Sequence, residues 1–347
     1  MGNFSLDQYT ALMTDYDREI TNIVFFAVVI NLISIFGSVA NVINIAVFIK
    51  QGFQDTVNIS FLALTLSDLG SLLTMVAVGV TILVGSVWPE APMVKEDVAY
   101  LIGDKHVIKP VSMFTTTAAP HAAFLRISWL ITTFITIERC LCVTIPLKVK
   151  HIITATRTII AMVSIYLCVF LGTSPFFVSS ALTNVFNTAT NATKLTRTFH
   201  ADVYYTDGIG YNFTVSVQFG CIIVDLLSTL VIIRQMQVKW KWRLESTSAS
   251  ASDRLSLRDK KLVKMVLAIL CVFIACLIPS CTSFVCELVY GYMFNITGPN
   301  YNIFICASSV IITFEVAHSS VNIFIYYNMS AKYNATFKQI FFKCDQR

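Results

Sequence analysis

Several residues in this sequence are costly where they stand, and their types suggest chemistry. Asp68, in Leu64-Thr-Leu-Ser-Asp68, lies deep within an apolar run, and Asn41 and Asn322 are similarly deep in two others. An ionisable group at membrane depth is expensive unless paired or hydrated, so function is the first hypothesis for it. One carboxylate and two amides can share a hydrated cluster and hold a sodium ion with hydroxyls and water. Interhelical hydrogen-bonding glue is the competing account. A second constellation is Glu138-Arg139 in Thr136-Ile-Glu-Arg-Cys-Leu-Cys-Val-Thr-Ile-Pro146-Leu147. These adjacent charges either snorkel at a membrane edge or form a lock, Glu138 holding Arg139 until an opening motion frees it. Arg126, Asp225, Glu315 and His318 are further polar residues in apolar surroundings, with partners the sequence leaves open. No Gly-rich phosphate loop, His-Glu-x-x-His zinc motif or nucleophile elbow stands in a suitable context, so an enzyme is not expected.

The elements that must position these residues follow from composition. The chain has 347 residues, 56% of them hydrophobic and only 13% charged, and its mean hydropathy is +0.70. That balance points to a bilayer as solvent. Met1 to Glu19 has no apolar stretch behind a basic one and is expected to be a polar tail, not a cleaved signal peptide. Seven stretches are long enough to span, centred in 23–50, 57–87, 111–143, 155–182, 209–236, 262–290 and 302–327. They lack sustained period-two alternation, so the expected fold is an all-α seven-helix bundle and not a barrel. The expected organisation is an extracellular tail over 1–22, a membrane domain over 23–329 with a cytoplasmic loop at 237–261, and a cytoplasmic terminus over 330–347. With the N-terminus outside, 18 Lys and Arg fall in inner segments and 6 in outer ones. That asymmetry predicts an N-out, C-in protein of the plasma membrane.

Smaller signals fit this topology. Sequons at Asn3, Asn191, Asn212 and Asn295 fall on the outer side and are candidate glycosylation sites. The stretch Gln237 to Lys261 is Ser-rich and flanked by Lys and Arg, and is expected to be a flexible basic loop facing anionic lipid or a cytosolic partner. Ser330 to Lys343 sets Tyr333, Phe337, Ile340 and Phe341 opposite Lys332, Lys338 and Lys343, the pattern of an amphipathic helix lying on the inner leaflet. Cys344 beside it is a palmitoylation candidate. Of ten cysteines, Cys168, Cys221, Cys271, Cys276 and Cys281 lie in apolar runs as small hydrophobes, whereas Cys286 and Cys306 could bridge the third outer loop.

From Ala27 to Cys344 the chain resembles a rhodopsin-like G-protein-coupled receptor. The resemblance is carried by Glu138-Arg139-Cys140 with Pro146-Leu147, Asn41, Leu64 with Asp68, Phe273-Ile-Ala-Cys-Leu-Ile-Pro279 and Asn322-Ile-Phe-Ile-Tyr326. It implies that Arg139 meets a heterotrimeric G protein when helix six swings outward on the Pro279 kink. Tyr326 would support that open state, and Asp68, Asn41 and Asn322 would line a sodium site favouring the resting one. The outer half departs from the pattern. Phe114 or a neighbour stands where a helix-three cysteine is usual, and 183–208 contains no cysteine, so the usual clamp between them is missing. Leu277 replaces the toggle tryptophan, and Tyr166, Gly220 and Ile323 replace other family residues.

Lys50-Gln-Gly-Phe-Gln-Asp-Thr-Val-Asn-Ile-Ser60, Arg258-Asp-Lys-Lys-Leu-Val-Lys264 and Ser319 to Ser330 resemble the molluscan chemosensory receptor branch. That narrower likeness implies reception of an environmental cue, a neuropeptide receptor of the same fold being the alternative. His121 falls where amine receptors carry an aspartate, and a neutral imidazole disfavours an amine ligand. His121, Leu277 and Glu315 are the candidate ligand-binding residues. The expected partners are an extracellular ligand, a G protein and membrane lipid, with no nucleic acid and no cofactor other than the sodium ion. A transporter or channel is the rival class, but its internal repeats are not seen.

Overall fold

The computed structural model describes residues 13–87, 97–102, 105–110, 114–178, 180–187, 192–199, 203–245, 252–291 and 299–342. Its apolarity is inverted relative to a protein folded in water. Leu32, Val39, Ile160, Leu171, Leu227 and Leu230 are exposed, whereas Ser34, Asn41, Thr65, Ser67, Asp68, Ser128 and Ser319 are buried. Aliphatic side chains facing outward suit hydrocarbon, and inward hydroxyls and amides can bond across helices. Seven helices are long and apolar enough to cross a membrane. The architecture is that of a helical, multi-pass membrane protein.

The first of these helices is continuous over Asp15–Gln51. It comprises α1 (Asp15–Asn22), a π-helical stretch Ile23–Ile30 and α2 (Asn31–Gln51). It therefore begins inside the segment expected to be a polar tail. A capping box explains the start: Thr14 Oγ1 accepts from the Asp17 N–H at 3.2 Å, and the Thr14 N–H donates to Asp17 Oδ2 at 2.9 Å. Gly52, at φ 82°, ends α2. The other spans are α3 (Thr56–Val87), α4 (Phe114–Thr144), α6 (Ala155–Thr173), α8 (Val203–Glu245), α9 (Ser252–Tyr290) and α10 (Tyr301–Met329). Short helices α5 (Pro146–Ile152) and α7 (Pro175–Val178) flank α6, and α11 (Ala331–Phe341) closes the chain.

Three expectations need correction. The fold is not all-α: β1 (Asp97–Ile102) and β2 (Lys105–Pro110) form one antiparallel hairpin, and β3 (Ser180–Asn187) and β4 (Ala192–Phe199) another. Parallel pairing of β1 with β4 joins them in a sheet ordered β2-β1-β4-β3. The two connecting segments are thus tied by backbone hydrogen bonds at the end of the bundle where a cysteine clamp was missed. The fourth span stops at Thr173 and not near Leu182, because Ser174 turns the chain and Pro175 cannot continue the hydrogen-bond ladder. The expected basic loop is largely helical, since α8 runs to Glu245 and α9 starts at Ser252. Its Lys, Arg and Gln are straight-chain residues that favour helix.

Glycines set how closely the first helix approaches its neighbours. A Cβ on Gly79 of α3 would sit 2.8 Å from the Phe26 carbonyl oxygen in the π-helical stretch, and one on Gly37 would sit 2.8 Å from Leu72 Cδ1. A backbone oxygen cannot swing aside as a side chain can. Gly79→Ala is therefore expected to cost about 1–3 kcal/mol, the range for overpacking, read as a lower thermal midpoint in detergent. An unchanged midpoint would mean that this contact is looser than described.

Candidate functional site

Three polar layers run along the bundle axis. The first lies at the α4 C-terminal end. Arg139 Nη2 donates to Glu138 Oε1 at 2.7 Å, and Thr56 Oγ1, from the first residue of α3, donates to the same oxygen at 2.6 Å. Both charged side chains are buried, at 2% and 8% exposure. These are not snorkelling charges: Arg139 is folded onto its neighbour, and Arg139 Nε and Glu138 Oε2 have no partner. Charge-assisted bonds of this length are among the stronger hydrogen bonds in proteins.

Beside this layer is a cavity of about 310 Å³ lined by Phe48, Phe61, Met265, Tyr326, Lys332 and Tyr333. Tyr326 is buried against Phe48 and Phe61, with ring centroids 5.2 and 5.0 Å apart, and its hydroxyl is unpartnered. Tyr333 of α11 donates from its hydroxyl to Asn44 Oδ1 at 2.5 Å. Burial pushes the Tyr333 phenol above its ordinary range, so it remains a donor. Ser330 caps α11 by accepting from the Tyr333 N–H at 3.2 Å. The amphipathic reading of this segment holds: Tyr333, Phe337 and Ile340 pack against the core, while Phe341 is exposed.

The second layer is centred on Asp68, fully buried in α3. Ser128 Oγ of α4 donates to Asp68 Oδ1 at 2.7 Å and Asn322 Nδ2 of α10 donates to Asp68 Oδ2 at 2.8 Å, so one carboxylate joins three helices. Asn41 is close in sequence logic but differently employed. Its amide nitrogen donates to the carbonyls of Gly37 at 2.9 Å and Ser319 at 2.8 Å, fastening α2 to α10, and Asp68 is not among its partners. Ser319 Oγ and Asn322 Oδ1 are buried and unpartnered. Among the described residues no cluster of three or more His, Cys, Asp or Glu could hold a metal. Oxygen donors from serine and asparagine are a separate set, suited to a hard cation.

The third layer lies toward the hairpins. Ser71 Oγ and His121 Nδ1 are 2.8 Å apart, and His121 Nε2 lies 3.4 Å from Glu315 Oε2. Two of the three candidate ligand residues are thus brought together, and both are buried. Leu277 is elsewhere, in a cluster with Leu125, Trp129, Cys221, Leu270 and Phe273. His318 has neither ring nitrogen partnered and packs on Phe273 at 5.6 Å between centroids. Arg126 lies over the Trp129 ring at 4.4 Å. Asp225, whose partner the sequence left open, accepts from Thr133 Oγ1 of α4 at 2.9 Å.

Other expected sites fare differently. Cys286 and Cys306 are free thiols, so the third-loop disulfide is not formed. Cys306 is packed within the bundle and Cys286 is only half-buried. Pro279 lies within α9, where its missing N–H leaves the Ala275 carbonyl without a helical donor. Asn212 is exposed on α8. Asn3, Asn191, Asn295 and Cys344 lie outside the described residues.

Thr56, Ser71, Ser128 and Trp129 were missed as site residues. The signal for two of them was helical spacing: Ser71 is one turn beyond Asp68, and Ser128 is three turns before Arg139 on the same face of α4. Serines and threonines are common in helices packed within membranes, so that signal is drowned. No family model and no curated protein matches the chain.

Proposed function

We propose that this chain is a G-protein-coupled receptor, its N-terminus outside the plasma membrane, which binds a chemosensory cue and activates heterotrimeric G proteins. The observation that carries the reading is the buried Glu138–Arg139 pair, pinned by Thr56 next to the cavity that Tyr326 lines. A guanidinium held by one carboxylate at a helix end is a two-state element: opening the bundle frees five donors for a partner's carbonyls. Pro279, in the C-terminal third of α9 and without its own N–H, is a natural pivot for that opening.

The oxygens around Asp68 fit a sodium ion, since Ser319 Oγ and Asn322 Oδ1 are buried without partners near a carboxylate already in reach of Ser128. Asp68, Ser128 and Asn322 would hold the ion, which supplies positive charge that binds three helices in the resting arrangement. Raising sodium should then weaken agonist affinity more in the wild type than in Asp68→Asn. Equal sensitivity in the two would remove the ion from this reading.

The test of the function is guanine-nucleotide exchange on a panel of purified G proteins. Membranes carrying the protein would be exposed to water-borne small molecules and peptides, with ion current recorded in parallel. Ligand-dependent exchange without current supports the receptor; current without exchange supports a channel or transporter. A response confined to peptides would replace the chemosensory assignment by a neuropeptide one.

A further inference from the structure

His121 and Glu315 play no part in the proposed coupling, yet they join α4 to α10 on the side of the bundle toward the hairpins. His121 Nε2 lies 3.4 Å from Glu315 Oε2, and the two residues are 3% and 8% exposed. At the other end of the ring, Nδ1 has two oxygens of Ser71 in α3 within reach, the hydroxyl at 2.8 Å and the backbone carbonyl at 3.2 Å. One imidazole therefore ties three helices through both of its nitrogens. An ionised carboxylate and a carbonyl only accept hydrogen bonds, whereas a hydroxyl both donates and accepts.

This arrangement accommodates two protonation states of the same ring. In the neutral state Nε2–H donates to Glu315 and Nδ1 accepts from the Ser71 hydroxyl. A proton added at Nδ1 turns that nitrogen into a donor, and the Ser71 carbonyl, which it already meets, is there to accept. The Ser71 side chain need only turn its hydroxyl hydrogen away. The added positive charge then lies against the Glu315 carboxylate in a site poor in water, where an opposite charge within about 4–6 Å favours the charged form by about tenfold or more.

Other groups around Glu315 set the balance. Arg126 of α4, Cys276 of α9 and His318, one turn along α10, all interact electrostatically with it. Cys221 of α8 stands in the same relation to Arg126. Arg126 opposes a second positive charge there, but among the described residues the ion pair made by Glu315 is the one with His121. On α3 the carboxylate one turn from Ser71, Asp68, is bonded to Ser128 and Asn322. The first helix carries no titratable residue from 23 to 49, and on α6 Cys168 is exposed while Tyr166 donates to the Ala63 carbonyl. His318 has neither ring nitrogen partnered, so it lacks the acceptors that His121 meets. We propose that His121, with Ser71 and Glu315, is a proton-binding site at which acidification fastens α4 to α3 and α10. The inference concerns the bundle and not G-protein coupling, so its failure would leave the receptor reading standing.

The experiment uses the purified full-length chain in lipid nanodiscs, its thermal midpoint read at about pH 5.5 and about pH 8, on either side of the ordinary imidazole titration. A double-mutant cycle of wild type, His121→Gln, Glu315→Gln and the two combined isolates the pair. The coupling is expected to favour the folded chain at least about tenfold more on the acid side than on the alkaline side. Each single variant should lose the acid-side gain of the wild type, and His318→Gln should keep it. Ser71→Ala removes the hydroxyl that supports the neutral ring and leaves the carbonyl that supports the protonated one, so it should enlarge the gain. Should a variant of the pair fail to fold, Ser71→Ala and the remaining single variant still decide. Equal coupling at the two pH values would overturn the inference. So would an acid-side gain that persists in His121→Gln, vanishes in His318→Gln or shrinks in Ser71→Ala.

Discussion

Membranes carrying Arg139→Ala should give no ligand-dependent nucleotide exchange, a loss of about a hundredfold or more, the scale for removing a buried, hydrogen-bonded charge from an interface. Surface expression should stay close to wild type. The argument is geometric. Arg139 is pulled onto Glu138 by a 2.7 Å bond while Thr56 holds the same carboxylate oxygen from α3. In the closed bundle the guanidinium serves as that oxygen's counter-charge. On the proposed reading, the open bundle presents it to a G protein. Arg139→Lys should retain part of the activity, because an ammonium keeps the charge but not the planar fork. Releasing the lock from its other side, by Glu138→Gln, should raise exchange without ligand. Undiminished signalling by Arg139→Ala would remove the assignment of this pair, whatever the ligand proves to be.

The second large effect is expected at Asp68. Asp68→Ala leaves Ser128 Oγ and Asn322 Nδ2 as buried donors without their acceptor, at about 1–3 kcal/mol each. The thermal midpoint in detergent should fall by several degrees. Asp68→Asn should cost less, since its amide oxygen can still accept from one of the two donors. Ser128→Ala added to Asp68→Ala should cost less than the two changes summed, because the orphaned hydroxyl is already gone. An alanine variant as stable as wild type would mean that the carboxylate does not hold α3, α4 and α10 together.

The helical spans could be read along the chain because hydrocarbon demands runs of apolar residues, and every such run became a long helix. The amphipathic helix at Ala331–Phe341 was legible for the related reason that its two faces meet different media. Less legible were features that depend on contacts remote in sequence. Leu277 was grouped with His121 and Glu315, yet it packs with Trp129 and Phe273 while the other two meet each other. Asn41 was grouped with Asp68, yet its amide nitrogen is spent on the Gly37 and Ser319 carbonyls. In each case side chains at similar depth on different helices had several possible partners, and rotation of each helix about its axis chose among them.

The sequence by itself determined that seven helices would form, that they would turn aliphatic faces outward, and that Asp68, Glu138, Arg139 and Asn322 would be costly enough to need partners. Each of these depends on residue type and on neighbours within a few turns. The tertiary structure alone decided that Ser128 and Asn322 share Asp68, that Thr56 pins Glu138, and that Arg126 lies over the Trp129 ring. It also decided that the two hairpins join through β1 and β4, and that Cys286 and Cys306 stay free. The physical reason is that a polar group's partner is fixed by helix rotation and crossing, which many weak packing contacts set jointly and no local pattern encodes.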